Sequence, residues 1–159
     1  MDFKKLKICE TNIKNKSITV CISRIMYKKL KIESQVSNLR IVEKAIDDTT
    51  AAIGISQDNY GKILVSAMEA VNNAILHGNK SNPEKSVEVE INYKGDELRI
   101  TVTDEGPGFN PEKVPDPTTP ENIEELNGRG IYLMSHLADK IEYNKKGNSV
   151  SMSFKNILT

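Results

Sequence analysis

The sequence predicts an α+β fold, a two-layer sandwich with helices packed on one face of a mixed, mainly antiparallel sheet. Three observations predict it. Two amphipathic helical stretches come first, the apolar period then drops from 3.6 to 2, and glycine-centred turns join the alternating runs into hairpins.

Residues 18–22 and 29–32 are short β-like runs in a segment with little other pattern. Val36, Leu39, Val42, Ile46 and Ile53 then recur at helical spacing, and Gly54 follows as a stop signal. A second helix is predicted over residues 57–77, with Ser56 as its N-cap and Gly78 just past its end. Its buried stripe would be Tyr60, Ile63, Leu64, Ala67, Val71, Ala74 and Ile75. Val87, Val89, Ile91 and Tyr93 alternate with polar residues, Lys94-Gly95-Asp96 turns the chain, and Leu98, Ile100 and Val102 alternate again. Residues 105–120 hold five of the six prolines and read as a loop. A short helix is expected over residues 131–137, after Gly130. Ile141 and Tyr143, then Val150, Met152 and Phe154 beyond a Lys146-Gly147-Asn148 turn, close the sheet.

The 159 residues are one domain's worth, read as a basic N-terminal extension with strands (1–33) leading into the main domain (34–159). Hydrophobic residues at 38% and charged residues at 28% exclude a disordered tail. No apolar run reaches the roughly 20 residues of a membrane span, and MDFKKLKICE has no signal-peptide h-region. A net charge of zero argues against non-specific nucleic-acid binding. Cys9 and Cys21 lack CxxC spacing and are expected as reduced thiols of a cytoplasmic protein. The charge is uneven: residues 1–45 carry 11 basic against 4 acidic groups, so that third is either a docking surface or a solvated face.

Several chemistries are missing from the chain. It contains no G-x-x-x-x-G-K-[ST], no H-E-x-x-H and no G-x-S-x-G, and Gly106 and Gly108 lack the third glycine of a dinucleotide fingerprint. Three segments remain. Glu69 and Asn73 lie one turn apart on the helix face opposite the buried stripe, where a carboxylate and an amide oxygen suit Mg²⁺ and its waters. An exposed polar face would read the same way. Asp104-Glu105-Gly106-Pro107-Gly108 follows an apolar strand; the Asp can accept from an exocyclic amine and the glycines let backbone approach a ligand, although an ordinary turn shares the pattern. Gly128-Arg129-Gly130-Ile131 leads into a helix N-terminus, which suits phosphate. Residues 107–127 between the last two segments are long enough for a movable lid.

In that order, Glu69-x-x-x-Asn73, Asp104-x-Gly106-x-Gly108 and Gly128-x-Gly130 resemble the N, G1 and G2 boxes of the GHKL ATPases, the superfamily of gyrase, histidine kinases and MutL. DEGPGFNPEKVPDPTTPEN followed by GRGIYLM is similar to one branch, the bacterial anti-sigma-factor serine/threonine kinases. The resemblance runs from about Ser34 to Phe154.

The resemblance implies ATP and Mg²⁺ as cofactors. Glu69 would be the general base, Asn73 the Mg²⁺ ligand and Asp104 the partner of the adenine amino group, with Gly106 and Gly108 shaping the adenine pocket. Gly128, Arg129, Gly130 and Ile131 would line the lid end near the phosphates. Where family members often carry Gly-Thr-x-Val, this chain reads Gly147-Asn148-Ser149-Val150, so Asn148 would take the threonine's place. The implied function is phosphorylation of an anti-anti-sigma (STAS) protein by an anti-sigma factor that also binds a sigma factor, as a homodimer with no direct nucleic-acid or membrane contact. The alternative is a nucleotide-gated module that binds partners without transferring phosphate.

Overall fold

A computed structural model describes residues 6–9, 21–110 and 126–158, with side chains for 25–110 and 130–158. The order is β1 (Leu6–Cys9), β2 (Cys21–Glu33), a 3-10 turn (Val36–Asn38), α1 (Leu39–Ile53), α2 (Gln57–Asn73), a π-helical turn (Ala74–Gly78), β3 (Ser86–Lys94), β4 (Glu97–Asp104), α3 (Leu126–Leu137), β5 (Lys140–Tyr143) and β6 (Ser149–Lys155). The strands form one sheet in the order β1-β2-β3-β4-β6-β5. The expectation of a mixed sheet gives way to a uniform one, since every described pairing is antiparallel. Only β3–β4 and β5–β6 are joined as hairpins; the antiparallel β2–β3 pair is joined through α1 and α2, and β4 reaches its neighbour β6 through α3 and β5.

The period-2 pattern decides which face of the sheet is covered. Val87, Val89, Ile91 and Tyr93 of β3, Leu98, Ile100 and Val102 of β4, and Val150, Met152 and Phe154 of β6 are all buried. Their registers set Val89 opposite Val102, Ile91 opposite Ile100, and Ile100 opposite Met152, so the apolar rows run across strands. The same core takes in Val42, Ala45, Ile46 and Ile53 of α1 and Ile63, Ala67, Ala70 and Val71 of α2. The other face is polar: Lys29 meets Glu88 and Glu90 at 2.7 and 3.1 Å, and Arg99 meets Glu97 at 3.2 Å.

Local signals explain the helix boundaries. Gly54 takes the left-handed conformation (φ 82°) that stops α1, and its N–H donates to the Thr50 carbonyl. The Ser56 Oγ accepts from the Asn59 N–H at 3.4 Å at the start of α2. The expected 57–77 helix is present, but its last turn widens into π geometry over Ala74–Gly78. β2 is one strand of 13 residues where the sequence showed two short runs; residues 18–20 of the first lie outside the described residues. Nine residues of β2 pair with β3, from Ile25–Lys94 to Glu33–Ser86, and this non-local pairing extends a segment whose own pattern is weak. Among the described residues no helix is long and apolar enough to cross a membrane.

Candidate nucleotide site

α2 carries one end of the site. Glu69 and Asn73 are half-buried on its sheet-averted face, and α3 lies against them. The approach is close enough that a Cβ on buried Gly130 would stand 2.8 Å from Glu69 Oε2 and 3.2 and 3.5 Å from Asn73 Nδ2 and Oδ1. A carboxylate, an amide oxygen and the G2 backbone therefore converge on one point.

The continuation of the same helix carries the other end. The π turn brings Gly78 so close to Asp104 that a Cβ there would lie 2.5 and 2.6 Å from the two carboxylate oxygens. Gly106 packs just as tightly: its Cβ would run into the Gly78 carbonyl and stand 2.7 Å from Asp104 Oδ1. The Gly106 N–H donates to that oxygen at 2.7 Å. Burial pushes the Asp104 carboxyl above its ordinary pKa, against the opposing pull of the Gly106 N–H and the charges of Lys146 and Lys85. Nine steps of helix take Glu69 to Gly78, roughly 13 Å along the axis, a span that suits an extended nucleotide.

Gly108 and Gly147 interlock. With φ of 76° and 75°, each approaches backbone that a Cβ would strike, the Lys146 carbonyl for Gly108 and the Phe109 carbonyl for Gly147. This joins the loop after β4 to the turn before β6. Beside the joint a cleft is lined by residues 107–110 and 143–146, with Phe109 edge-on to Tyr143 at 5.3 Å between ring centroids. Burial of the Tyr143 ring pushes its hydroxyl pKa up to about 12.

The other expected residues fall as follows. Asn148 is directed at protein: its Nδ2 donates to the Asp104 carbonyl at 2.7 Å, its Oδ1 accepts from Asn144 Nδ2 at 2.9 Å, and its own carbonyl accepts from the Asp104 N–H at 2.9 Å. It thus braces the backbone of Asp104. The helix expected to start after Gly130 starts at Leu126, so Gly128 sits in the first turn of α3 and Gly130 in the second, within the hydrogen-bonded body of the helix. Helix formation carried through two glycines here because α3 packs on α2, a tertiary contact that local propensity does not report. Ile131 is half-buried against the core, and the Arg129 side chain and residues 111–125 of the expected lid lie outside the described residues. His136 is on the surface, its ring stacked on Tyr132 at 3.9 Å between centroids.

Sequence reasoning missed Asn79. It is 1% exposed and hydrogen-bonded to three segments, yet it lies beyond the predicted helix in a run of polar residues that reads as an ordinary loop. Only its burial marks it out.

Residues 32–154 match the histidine kinase-like ATPase domain. The chain belongs to that family. It is 28% identical over 134 residues to the serine-protein kinase RsbW of Bacillus subtilis, covering 80% of this chain and 84% of that one. It is also 28% identical over 129 residues to the anti-sigma F factor of Oceanobacillus iheyensis, covering 78% and 88%. Among solved structures, the RsbU and RsbW domains of a Mycobacterium tuberculosis protein superpose with a TM-score of 0.57 at 16% identity, over 81% of this chain and 31% of that longer one. That likeness is one of fold. For a member of the histidine kinase-like ATPase family, the convergence of Glu69, Asn73 and Gly130 at one end and of Gly78, Asp104 and Gly106 at the other is where the nucleotide site is expected.

Proposed function

We propose that this chain is an ATP-dependent serine/threonine protein kinase that acts as an anti-sigma regulatory factor, phosphorylating an anti-anti-sigma (STAS) protein and binding a sigma factor. The observation that carries the reading is the placement of the Glu69 carboxylate and the Asn73 amide together beside Gly130, about two and a half turns along the same helix from the point where Gly78 meets Asp104. A purely nucleotide-binding protein has no use for a base at that point. The relatives named as serine-protein kinases and as an anti-sigma factor support the same reading.

Asp104, narrowed by Gly78 and Gly106, would accept from the exocyclic amine of adenine, and Asn73 Oδ1 would hold the ion. Mg²⁺ would take this one protein oxygen and complete its shell from phosphate and water. Mg-ATP, when bound, supplies the phosphoryl group. Glu69 would take the proton from the acceptor hydroxyl as its oxygen forms the new bond to phosphorus and ADP departs.

One observation favours the second reading, a nucleotide-gated binding module: Gly130 of α3 stands so close to the half-buried Glu69 and Asn73 that the approach of a protein hydroxyl to Glu69 is narrowed on that side. Transfer of γ-labelled phosphate from Mg-ATP into a lysate of the source cell separates the two. With the wild-type chain one small labelled protein is expected. With Glu69→Gln that band should disappear while calorimetry still shows ATP binding. Equal labelling by the variant would remove Glu69 from the base role, and no labelling by either chain, with a STAS protein present, would favour the binding module.

A further inference from the structure

We infer that Asn79 is a positioning residue for nucleotide selection, setting the Asp104 carboxylate by holding the backbone that follows it. The inference rests on the ATP-binding reading above.

Asn79 is 1% exposed, and every polar atom of its side chain is engaged. Its Oδ1 accepts from the Glu105 N–H at 2.8 Å, while its Nδ2 donates to Ser34 Oγ at 2.6 Å and to the Ser86 carbonyl at 2.8 Å. Its own N–H donates to the Ala74 carbonyl at 2.8 Å. One buried amide thus joins the π turn, the residue after β2, the start of β3 and the exit of β4. An apolar side chain of the same shape would leave the Glu105 N–H and the Ser86 carbonyl, both partly buried, without these bonds.

The consequence falls on Asp104. Asn148 grips its N–H and carbonyl from the β6 side, and Asn79 grips the next N–H from the helix side. Glu105 adds a further tie, because its Oε2 accepts from the Ser86 N–H at 2.6 Å. With both flanking amides held, the direction of the Asp104 side chain is set against Gly78, the next residue before Asn79. A carboxylate fixed in this way accepts from the amine of adenine and repels the oxygen that guanine presents at the same place. Releasing the Glu105 N–H would therefore weaken ATP without weakening GTP. A brace that served only stability would leave the ratio of the two affinities alone.

The test uses the full chain with Asn79→Ala and, as a comparison, Thr49→Ala, which removes a buried 2.7 Å hydrogen bond to the Ala45 carbonyl inside α1. Mg-ATP and Mg-GTP are titrated calorimetrically at a temperature where circular dichroism shows each chain folded. The ATP:GTP affinity ratio should fall about tenfold in Asn79→Ala through the ATP arm alone, and hold in Thr49→Ala. An unchanged ratio in folded Asn79→Ala overturns the inference. A second measurement needs no variant: in the nucleotide-free wild type the Glu105 amide should exchange with solvent as slowly as the amides inside β4. Exchange at the unprotected rate overturns the inference too. Wild-type chain that binds neither nucleotide would instead overturn the ATP reading and this inference with it.

Discussion

Gly130 has no room for a side chain. The Glu69 and Asn73 side-chain atoms within 2.8–3.5 Å of its would-be Cβ are the ones the proposed reaction uses, so even a methyl group acts on the chemistry directly. Gly130→Ala is expected to push α3 off Glu69 and reduce phosphoryl transfer at least about tenfold, since small misplacements of a reacting group carry large rate losses. Its melting temperature, measured alongside, should drop modestly; full transfer activity in a folded variant would show that the close approach has no catalytic meaning. The boxes themselves were legible at this scale because spacing along a helix or strand end dictates which groups share a face. Asn79 was not, because an amide's value as a brace depends on burial and on partners as far as 45 residues away in sequence.

The elements are joined where their ends touch. The loop leaving β4 and the turn entering β6 meet through Gly108 and Gly147, and both need positive φ as well as empty space. Gly95 in the β3–β4 turn offers a contrast, with φ of 69° but nothing within 4 Å of its would-be Cβ. Gly108→Ala should destabilise by more than Gly95→Ala, the first combining strain with a backbone collision and the second carrying the left-handed cost of about 1–2 kcal/mol alone. Urea unfolding of the two variants checks the order, and equal losses would mean that the joint yields freely. Helix ends behaved as their caps required at Ser56 and Gly54. The π turn and the early start of α3 did not announce themselves, since both follow from what α2 packs against.

For the molecule as a whole, the polar sheet face and the loop ends carry a set of carboxylates held below their ordinary pKa. Lys29 lowers Glu88, Ser153 and then Arg99 lower Glu97, the Ser86 backbone and hydroxyl lower Glu105, and Lys140 lowers Glu142. A depressed carboxylate adds stability above its unfolded pKa and loses that contribution as the pH falls through its folded value. The melting temperature should therefore hold at neutral pH and decline once the pH drops below about 4.3, the ordinary glutamate value. Asp104 has the opposite sign: burial raises its carboxyl, so its ionised form costs folding free energy at neutral pH, and that cost is relieved as the pH falls through its folded value. A flat profile through the acid range, followed by circular dichroism, would show that these ion pairs and caps contribute nothing measurable.

The sequence by itself determined the α+β class, the alternating runs and turns that became the β3–β4 and β5–β6 hairpins, the apolar face of α2 and the spacing of Glu69, Asn73, Asp104 and Gly106. Each of these depends on periodicity or on turn residues a few positions apart, so local physics is enough to read them. Only the tertiary structure decided that β2 runs unbroken along β3, that α3 begins at Leu126 and brings Gly130 against Glu69, and that Asn148 and Asn79 grip the backbone at and after Asp104. Those outcomes come from contacts between segments far apart in the chain, whose free energy overrides the preferences of the residues that make them.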